Sequence, residues 1–283
     1  MIAKVSDPAA LAVSHDIITI GMHADDLRRE LHGRRTTFVR VADVTVTPGA
    51  SIVVPPSARE VRIVGLPADR AQAVARVAEV KLVAKGLPLS GFSLADLEQL
   101  STREQITLRA LLEDLYAAGL ELVAEAPFEQ LEDPRRAVEE VNIAGLALAR
   151  LTIGQTPALD IPSLYGRVAA LQRSVAVIRS FAPLARRFNP AMPSTGYEDI
   201  RRVALARLLI ENVPSIQVDW SLHGPKLAQV ALTVGADDLD GVSSIDETGE
   251  GRRRAPLEEL RRNIAAAGLE PVERDGRYDA IGR

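Results

Sequence analysis

Along this chain, short runs of β-branched and aliphatic residues alternate with longer segments in which apolar positions recur every three or four residues. That alternation of periods is the pattern of βα units around a mainly parallel sheet. Strands are predicted over 36–46, 61–65, 80–84, 120–124, 146–152, 175–182, 216–220 and a short stretch at 239–242. Eight is the number that closes a barrel. The clearest helix lies within "STREQITLRALLEDLYAAGL": Ser101 caps it, Glu104 completes a capping box, Ile106, Leu108, Leu111, Leu112 and Leu115 form the apolar stripe, and Gly119 ends it. "STGYEDIRRVALARLLIENV" repeats the logic, with Ser194 or Thr195 at the cap, Glu198 and Asp199 in the first turn, and Val203, Leu205, Leu208 and Leu209 inside. A last helix in "PLEELRRNIAAAGLEPV" ends at Gly268. The reading is a helical lead-in over 1–35 and one α/β domain over 36–283, a (β/α)8-type, TIM-like barrel with a C-terminal helix.

Composition narrows the partners. A chain of 283 residues suits one barrel, which takes about 250. With 34 basic against 38 acidic residues and a pI near 5.7, no excess positive charge draws it to nucleic acid. No apolar run reaches the roughly 20 residues that span a bilayer, and Asp7, His15 and Asp16 interrupt any signal-like start, so a cytoplasmic protein away from the membrane is expected. Residues 243–256, "SSIDETGEGRRRAP", read as a surface loop whose Arg252, Arg253 and Arg254 form either a docking patch or a solvated face. There is no cysteine, which removes disulfides, thiolate metal sites and cysteine nucleophiles together.

The C-terminal stretch "GYEDIRRVALARLLIENVPSIQVDWSLHGPKLAQVALTVGADDLDG", followed by "LEELRRNIAAAGLEPVERDGRY", closely resembles the end of the radical S-adenosylmethionine enzyme family of aminofutalosine synthase. Cyclic dehypoxanthine futalosine synthase and the deazaflavin-forming radical enzymes are more distant relatives. "ADDLRRELHGRRTTFVR" resembles the approach to that family's first strand, "REVRIVGLP" its second strand, and "LRALLEDLYAAGLE" the helix before its fourth. The resemblance covers most of residues 24–278 and is densest in the last 90. It implies a radical-SAM-like barrel and a place in futalosine-route menaquinone biosynthesis.

The same resemblance exposes what is missing. In the family, the first strand leads into a C-x3-C-x2-C loop that holds a [4Fe–4S] cluster, whereas this chain reads "TVTPGASIVVPP". None of these side chains replaces a soft anionic thiolate on iron. The family's Gly-Gly-x-x-Pro-type turn is Gly65-Leu66-Pro67-Ala68-Asp69 here, so Leu66 brings a side chain where close backbone approach was needed. The glycine-rich segment after the fourth strand is "VAEAPFEQLEDP". No cofactor is therefore expected, S-adenosylmethionine binding is put in doubt, and the chain reads as a pseudoenzyme incapable of radical chemistry.

Candidate site residues fall at the last two strands. Asp219, Trp220, Ser221 and His223 sit at one strand end, and Asp237, Asp238 and Asp240 around the other. From matching positions the resemblance implies Trp220, Gly224, Gln229, Asp237 and Asp240 as ligand-binding residues. Trp220 can stack on a purine or aryl face or pack in the core, and the carboxylates can hold ribose hydroxyls or serve as caps and turn residues. Gly224, Gln229 and Gly235 can equally shape a helix. His223 beside Asp219 suggests a catalytic acid/base pair or a solvated loop histidine. His15, His23 and His32 lack metal-site spacing; His32 with Arg34 and Arg35 reads as a contact fixing strand entry, and Glu125 and Glu129 either flank a ligand or lie on the surface.

Two functional classes follow. One is a cluster-less ligand-binding or partner subunit, alone, self-associated or joined to a cluster-bearing homologue, holding a small nucleoside or aryl carboxylate. The other is a non-radical acid/base enzyme, a hydrolase, lyase or decarboxylase acting on a related aryl enol ether or nucleoside through Asp219, His223 and Asp237 or Asp240. Convergent carboxylates and His223 within hydrogen-bond reach in a deep pocket favour the enzyme, and a pocket plugged by Ile52, Val53 and Leu66 favours the binding or partner role.

Overall fold

Strands whose apolar and polar residues alternate build a ring with one face toward the helices and one toward the axis. The structure is a computed structural model that describes residues 14, 16–155, 160–187, 195–246 and 256–281. Helix α1 (Ile17–His32) precedes β1 (Arg35–Thr45), β2 (Glu60–Val64), α2 (Arg70–Ala84), β3 (Leu89–Ser93), α3 (Leu94–Arg103), α4 (Leu108–Ala118) and β4 (Leu122–Pro127). There follow α5 (Pro134–Ile143), the two-residue β5 (Ala147–Leu148), β6 (Leu151–Gln155), α6 (Ile161–Val175), β7 (Ser180–Arg187), α7 (Gly196–Leu209) and β8 (Ser215–Asp219). The chain ends through α8 (Trp220–Leu232), β9 (Asp238–Ser243), α9 (Pro256–Ala266) and β10 (Glu270–Glu273).

The order β1-β2-β3-β4-β6-β7-β8-β9 closes through a β1–β9 pairing, with Thr37 opposite Asp238, into a parallel eight-strand barrel. β5 adds to β4, and β10 runs beside the first four residues of β1. It is a (β/α)8 barrel. Between strands and helices lies the apolar core, where Phe38, Ile63, Leu151, Phe181 and Val218 meet residues such as Val77, Leu97 and Leu111. Among the described residues, no helix is long and apolar enough to cross a membrane.

The axis of the barrel is polar. Glu60, Arg62, Ser90, Arg150, Gln217, Asp238 and Asp240 are all buried, so ion pairs fill space that branched apolar side chains usually occupy. Its floor is closed by the segment after β10. Arg274 donates to Asp238 through Nε at 2.6 Å and Nη2 at 2.7 Å, and stacks 3.9 Å from the ring centroid of Tyr278. The Tyr278 hydroxyl donates to the carbonyl of Ala149 at 2.7 Å and lies 2.6 Å from Ser180 Oγ.

Several predicted elements move. Residues 80–84 end α2 and the third strand is β3, because Ala73, Val77, Val80 and Ala84 form a buried three-to-four spacing that is helical. Lys85 then takes the left-handed conformation and Gly86 follows with φ +87°, turning the chain into β3. The helix expected from Ser101 is two helices. Ser101 lies inside α3, Thr107 caps α4 by accepting from Ala110 N, and Glu104 accepts from the backbone of Arg70 at 2.8 Å instead of completing a capping box. Val175 closes α6, so the strand expected from it begins at Ser180, and the 146–152 strand divides into β5 and β6. Gly119 ends α4 at φ +110°, and Thr195 caps α7, as expected. Ser194, His15, Arg252, Arg253 and Arg254 lie outside the described residues.

Candidate functional site

The C-terminal strand ends surround a cavity of about 470 Å3. Ile63, Val64, Leu66, Phe92 and Ala124 give it one apolar wall, while Asp43, Arg62, Asp96, Glu125, Arg150, Arg186, Arg187 and Asp219 supply charge around the rest. Most of these charged groups come from a strand end or the first turn beyond one, while Arg62 reaches up from the middle of β2 and Arg150 from just before β6.

Asp240 lies beneath the cavity floor. It accepts from Arg62 Nη1 at 3.0 Å and Nη2 at 2.8 Å, and Arg150 Nη1 stands 2.7 Å from its Oδ2. Burial by itself would raise its pKa, but Arg150 and Arg62 outweigh that and hold the carboxyl well below the usual range. Arg62 also pairs with Glu60 at 2.8 Å. Arg150 Nε, on a side chain only 3 % exposed, has no partner among the described residues.

A second layer crosses the mouth. Arg186 Nη1 donates to Asp219 Oδ2 at 2.6 Å and its Nε is 3.0 Å from Glu125 Oε2. Asp219 Oδ1 accepts from Leu222 N at 2.9 Å, capping α8. Gly241, at φ +66°, leaves room for this carboxylate: a Cβ there would stand 2.6 Å from Asp219 Oδ1. Asp43 and Asp96 make no hydrogen bond or close ion pair with other described residues, and loss of water around them raises both pKa values against the pull of Arg62 and Arg187 respectively.

The candidates from the last two strands separate. Asp219 lines the cavity and Asp240 lies buried under it. Asp237 is at the opposite end, just before β9, where it accepts from Ser215 Oγ at 2.8 Å, Ile216 N at 2.8 Å and Arg207. Asp238 is likewise at the floor, bound to Arg274. A strand's first residues project from the bottom of a barrel, so adjacency to Asp240 in sequence did not bring Asp237 to the mouth. Trp220 is partly buried against the core and does not line the cavity. Gly224, with φ +79° and ψ 161°, breaks the helical geometry of α8 ahead of Pro225, and Gln229 faces an outer groove between α8 and α9. His223 is half-buried beside Asp219 and outside the cavity lining. Burial, reinforced by Arg186 and opposed by Asp219, lowers its pKa to about 4.

Sequence reasoning missed the arginines. Arg62 alternates with apolar residues in Glu-Val-Arg-Ile-Val, and Arg150, Arg186 and Arg187 stand at strand boundaries; that placement was the available signal. Glu125 flanks the cavity, whereas Glu129 turns to the backbone N–H groups of Gly154 at 2.6 Å and Gln155 at 2.9 Å. His32 Nε2 lies 3.1 Å from the carbonyl of Pro214, a contact at strand entry. Among the described residues, no three His, Cys, Asp or Glu side chains group as a metal site.

Residues 182–282 match the CofH/MqnC C-terminal region. The chain is 30 % identical over 230 residues to aminodeoxyfutalosine synthase of Thermus thermophilus, an alignment covering 69 % of this chain and 61 % of that protein. It is 39 % identical over 95 residues to aminodeoxyfutalosine synthase of Streptomyces coelicolor, covering 31 % and 24 %. The chain thus spans less than two thirds of the length of these curated relatives. Methylornithine synthase shares the fold, with a TM-score of 0.63 at 13 % identity over 94 % of this chain and 93 % of that one. The chain is thus similar to aminodeoxyfutalosine synthase over 230 residues, and its residues 182–282 match a CofH/MqnC C-terminal region.

Proposed function

We propose that this chain, a relative of aminofutalosine synthase, is a ligand-binding or partner subunit that performs no radical S-adenosylmethionine chemistry of its own. The observation that carries the reading is the donor set where the first strand delivers its loop. The resident group that the family implies, a [4Fe–4S] cluster, does not fit these residues: the chain has no cysteine, and residues 46–56 offer hydroxyl, aliphatic and proline side chains. That loop is held instead by Arg76, whose Nε donates to Thr45 O at 2.9 Å and whose Nη2 donates to Ala50 O at 3.0 Å.

What supports ligand binding is the open cavity above Asp240. Leu66 lines it, but Ile52 and Val53 do not fill it. An apolar wall facing guanidinium and carboxylate groups suits a small nucleoside or aryl carboxylate, flat enough to lie on Phe92 and polar at its rim. By the family's chemistry such a ligand belongs to the futalosine route to menaquinone. A non-radical acid/base reaction is the second reading, favoured by one observation: Asp43 and Asp96 face the cavity with raised pKa values, as proton donors and acceptors would.

Thermal unfolding against adenosine, aminofutalosine, an enolpyruvyl benzoate and S-adenosylmethionine tests the proposal. A ligand at 100 times its dissociation constant adds about 2.7 kcal/mol, a shift of several degrees for a chain of this size. A shift that disappears in Asp96→Asn supports a mouth site. No shift with any compound removes the ligand-binding reading, and a stable cluster after incubation with iron and sulfide overturns the cluster-less one.

A further inference from the structure

At the end of the barrel opposite the cavity, two arginine side chains are completely buried. Arg28 of α1 and Arg207 of α7 are both 0 % exposed. Arg28 donates through Nε to Asp25 at 2.9 Å and through Nη1 to the carbonyl of Gly33 at 3.1 Å. Arg207 donates through Nε to the carbonyl of Gly235 at 2.9 Å and through Nη2 to Asp237. One nitrogen of each remains: Arg28 Nη2 and Arg207 Nη1 are buried and have no partner among the described residues.

The two side chains belong to one packed region. A Cβ on Gly235 would lie 2.9 Å from the Cβ of Arg207 and 3.2 Å from that of Ala24, so α1 and α7 meet there, and Arg28 follows Ala24 by one helical turn on the same face. Arg207 registers the neighbouring charge: burial, with Arg28 adding to it, lowers its pKa despite Asp237.

Counter-charge is short. Asp237 is the buried carboxylate paired with Arg207, and Asp25 divides itself between Arg28 and the exposed Arg29, which donates to its Oδ2 at 2.6 Å. A water accepting both free N–H groups would have to donate in turn. Yet Asp237 already accepts from Arg207, Ile216 N and Ser215 Oγ, with His32 Nε2 at 3.7 Å, and both oxygens of Asp25 are engaged. An anion needs donors only and supplies the missing charge.

We infer that the α1–α7 junction is a buried anion site, closed by Arg28 Nη2 and Arg207 Nη1, for a small monovalent inorganic anion of the chloride class. Occupancy fastens α1 onto the barrel floor, so the folded state of the full chain depends on the anion itself and not only on ionic strength.

The test is thermal unfolding of the full chain at constant ionic strength while sodium gluconate is replaced by sodium chloride. The midpoint is expected to climb saturably by a few degrees in the native protein and to stay flat in Arg28→Met. Crystals grown in sodium bromide keep the test decisive if that variant fails to fold, since the expected anomalous peak lies between Arg28 Nη2 and Arg207 Nη1. Equal midpoints in the two salts, or water in place of bromide, overturns the inference. A bromide peak with no salt-specific stabilisation identifies an adventitious ion only and overturns it as well.

Discussion

Arg186 and Asp219 meet across the barrel mouth at 2.6 Å, and the second oxygen of the same carboxylate caps α8 through Leu222 N at 2.9 Å. One side chain thus fixes both the rim of the cavity and the start of the following helix. Asp219→Ala removes the cap, worth about 1 kcal/mol, and leaves Arg186 with Glu125 alone. A total loss of about 2–3 kcal/mol in urea unfolding is expected, against about 1 kcal/mol for Asp219→Asn, whose amide oxygen keeps the cap.

Gly241→Ala tests the same carboxylate from behind. The added methyl would stand 2.6 Å from Asp219 Oδ1 at a residue with φ +66°. The variant is expected to lose at least about 2 kcal/mol and to weaken any ligand bound at the mouth, both read by thermal unfolding with and without ligand.

His223 makes stability depend on pH. Its folded pKa of about 4 lies below an unfolded value near 6.5, so the unfolded chain takes up the proton first as pH falls. Its contribution is complete above the unfolded pKa and is lost between roughly pH 6.5 and 4. At pH 5 the native protein is expected to be on the order of 1–2 kcal/mol less stable than at pH 7 through this residue, and His223→Gln should flatten that part of the pH profile.

The floor is the third point of sensitivity. Asp238 is fully buried and bound by Arg274 at 2.6 and 2.7 Å. Arg274→Met strands that carboxylate at a cost of about 3–5 kcal/mol, and Asp238→Asn in the same chain should restore much of it in a double-mutant cycle. Additive losses would show that the two groups are not coupled.

Arg76→Met should free the loop between β1 and β2 while leaving the barrel intact. Its two hydrogen bonds to Thr45 O and Ala50 O hold that loop. Amide exchange over residues 46–54 is expected to accelerate about tenfold or more, with little change in β2 and β3.

Much of the fold was legible from period and punctuation. The stripe Leu111, Leu112 and Leu115 with Gly119 behind it marked a helix end, and the strands expected over 61–65 and 216–220 lie within one residue of β2 and β8, Trp220 opening α8 instead. Strand 80–84 misled because valines at helical spacing and valines in a strand have the same composition, and the short Leu89–Ser93, with its serines and glycine, carries little β signal. Packing of Val77 and Val80 into the core decided it.

The sequence by itself determined the βα rhythm, the resemblance to aminofutalosine synthase and the want of thiolates, because these are properties of residue order and chemistry. Only the tertiary structure decided which charges meet. Along Glu-Val-Arg-Ile-Val or Asp-Leu-Asp the alternation names two faces but not which one turns inward. Closing the ring of parallel strands put the polar face on the axis, drew Arg62 and Arg150 onto Asp240, and sent Asp237, three residues earlier, to the floor. A carboxylate among guanidinium groups and one buried at a helix junction look alike in a string of letters. Their roles follow from distance along the barrel axis, which no residue carries alone.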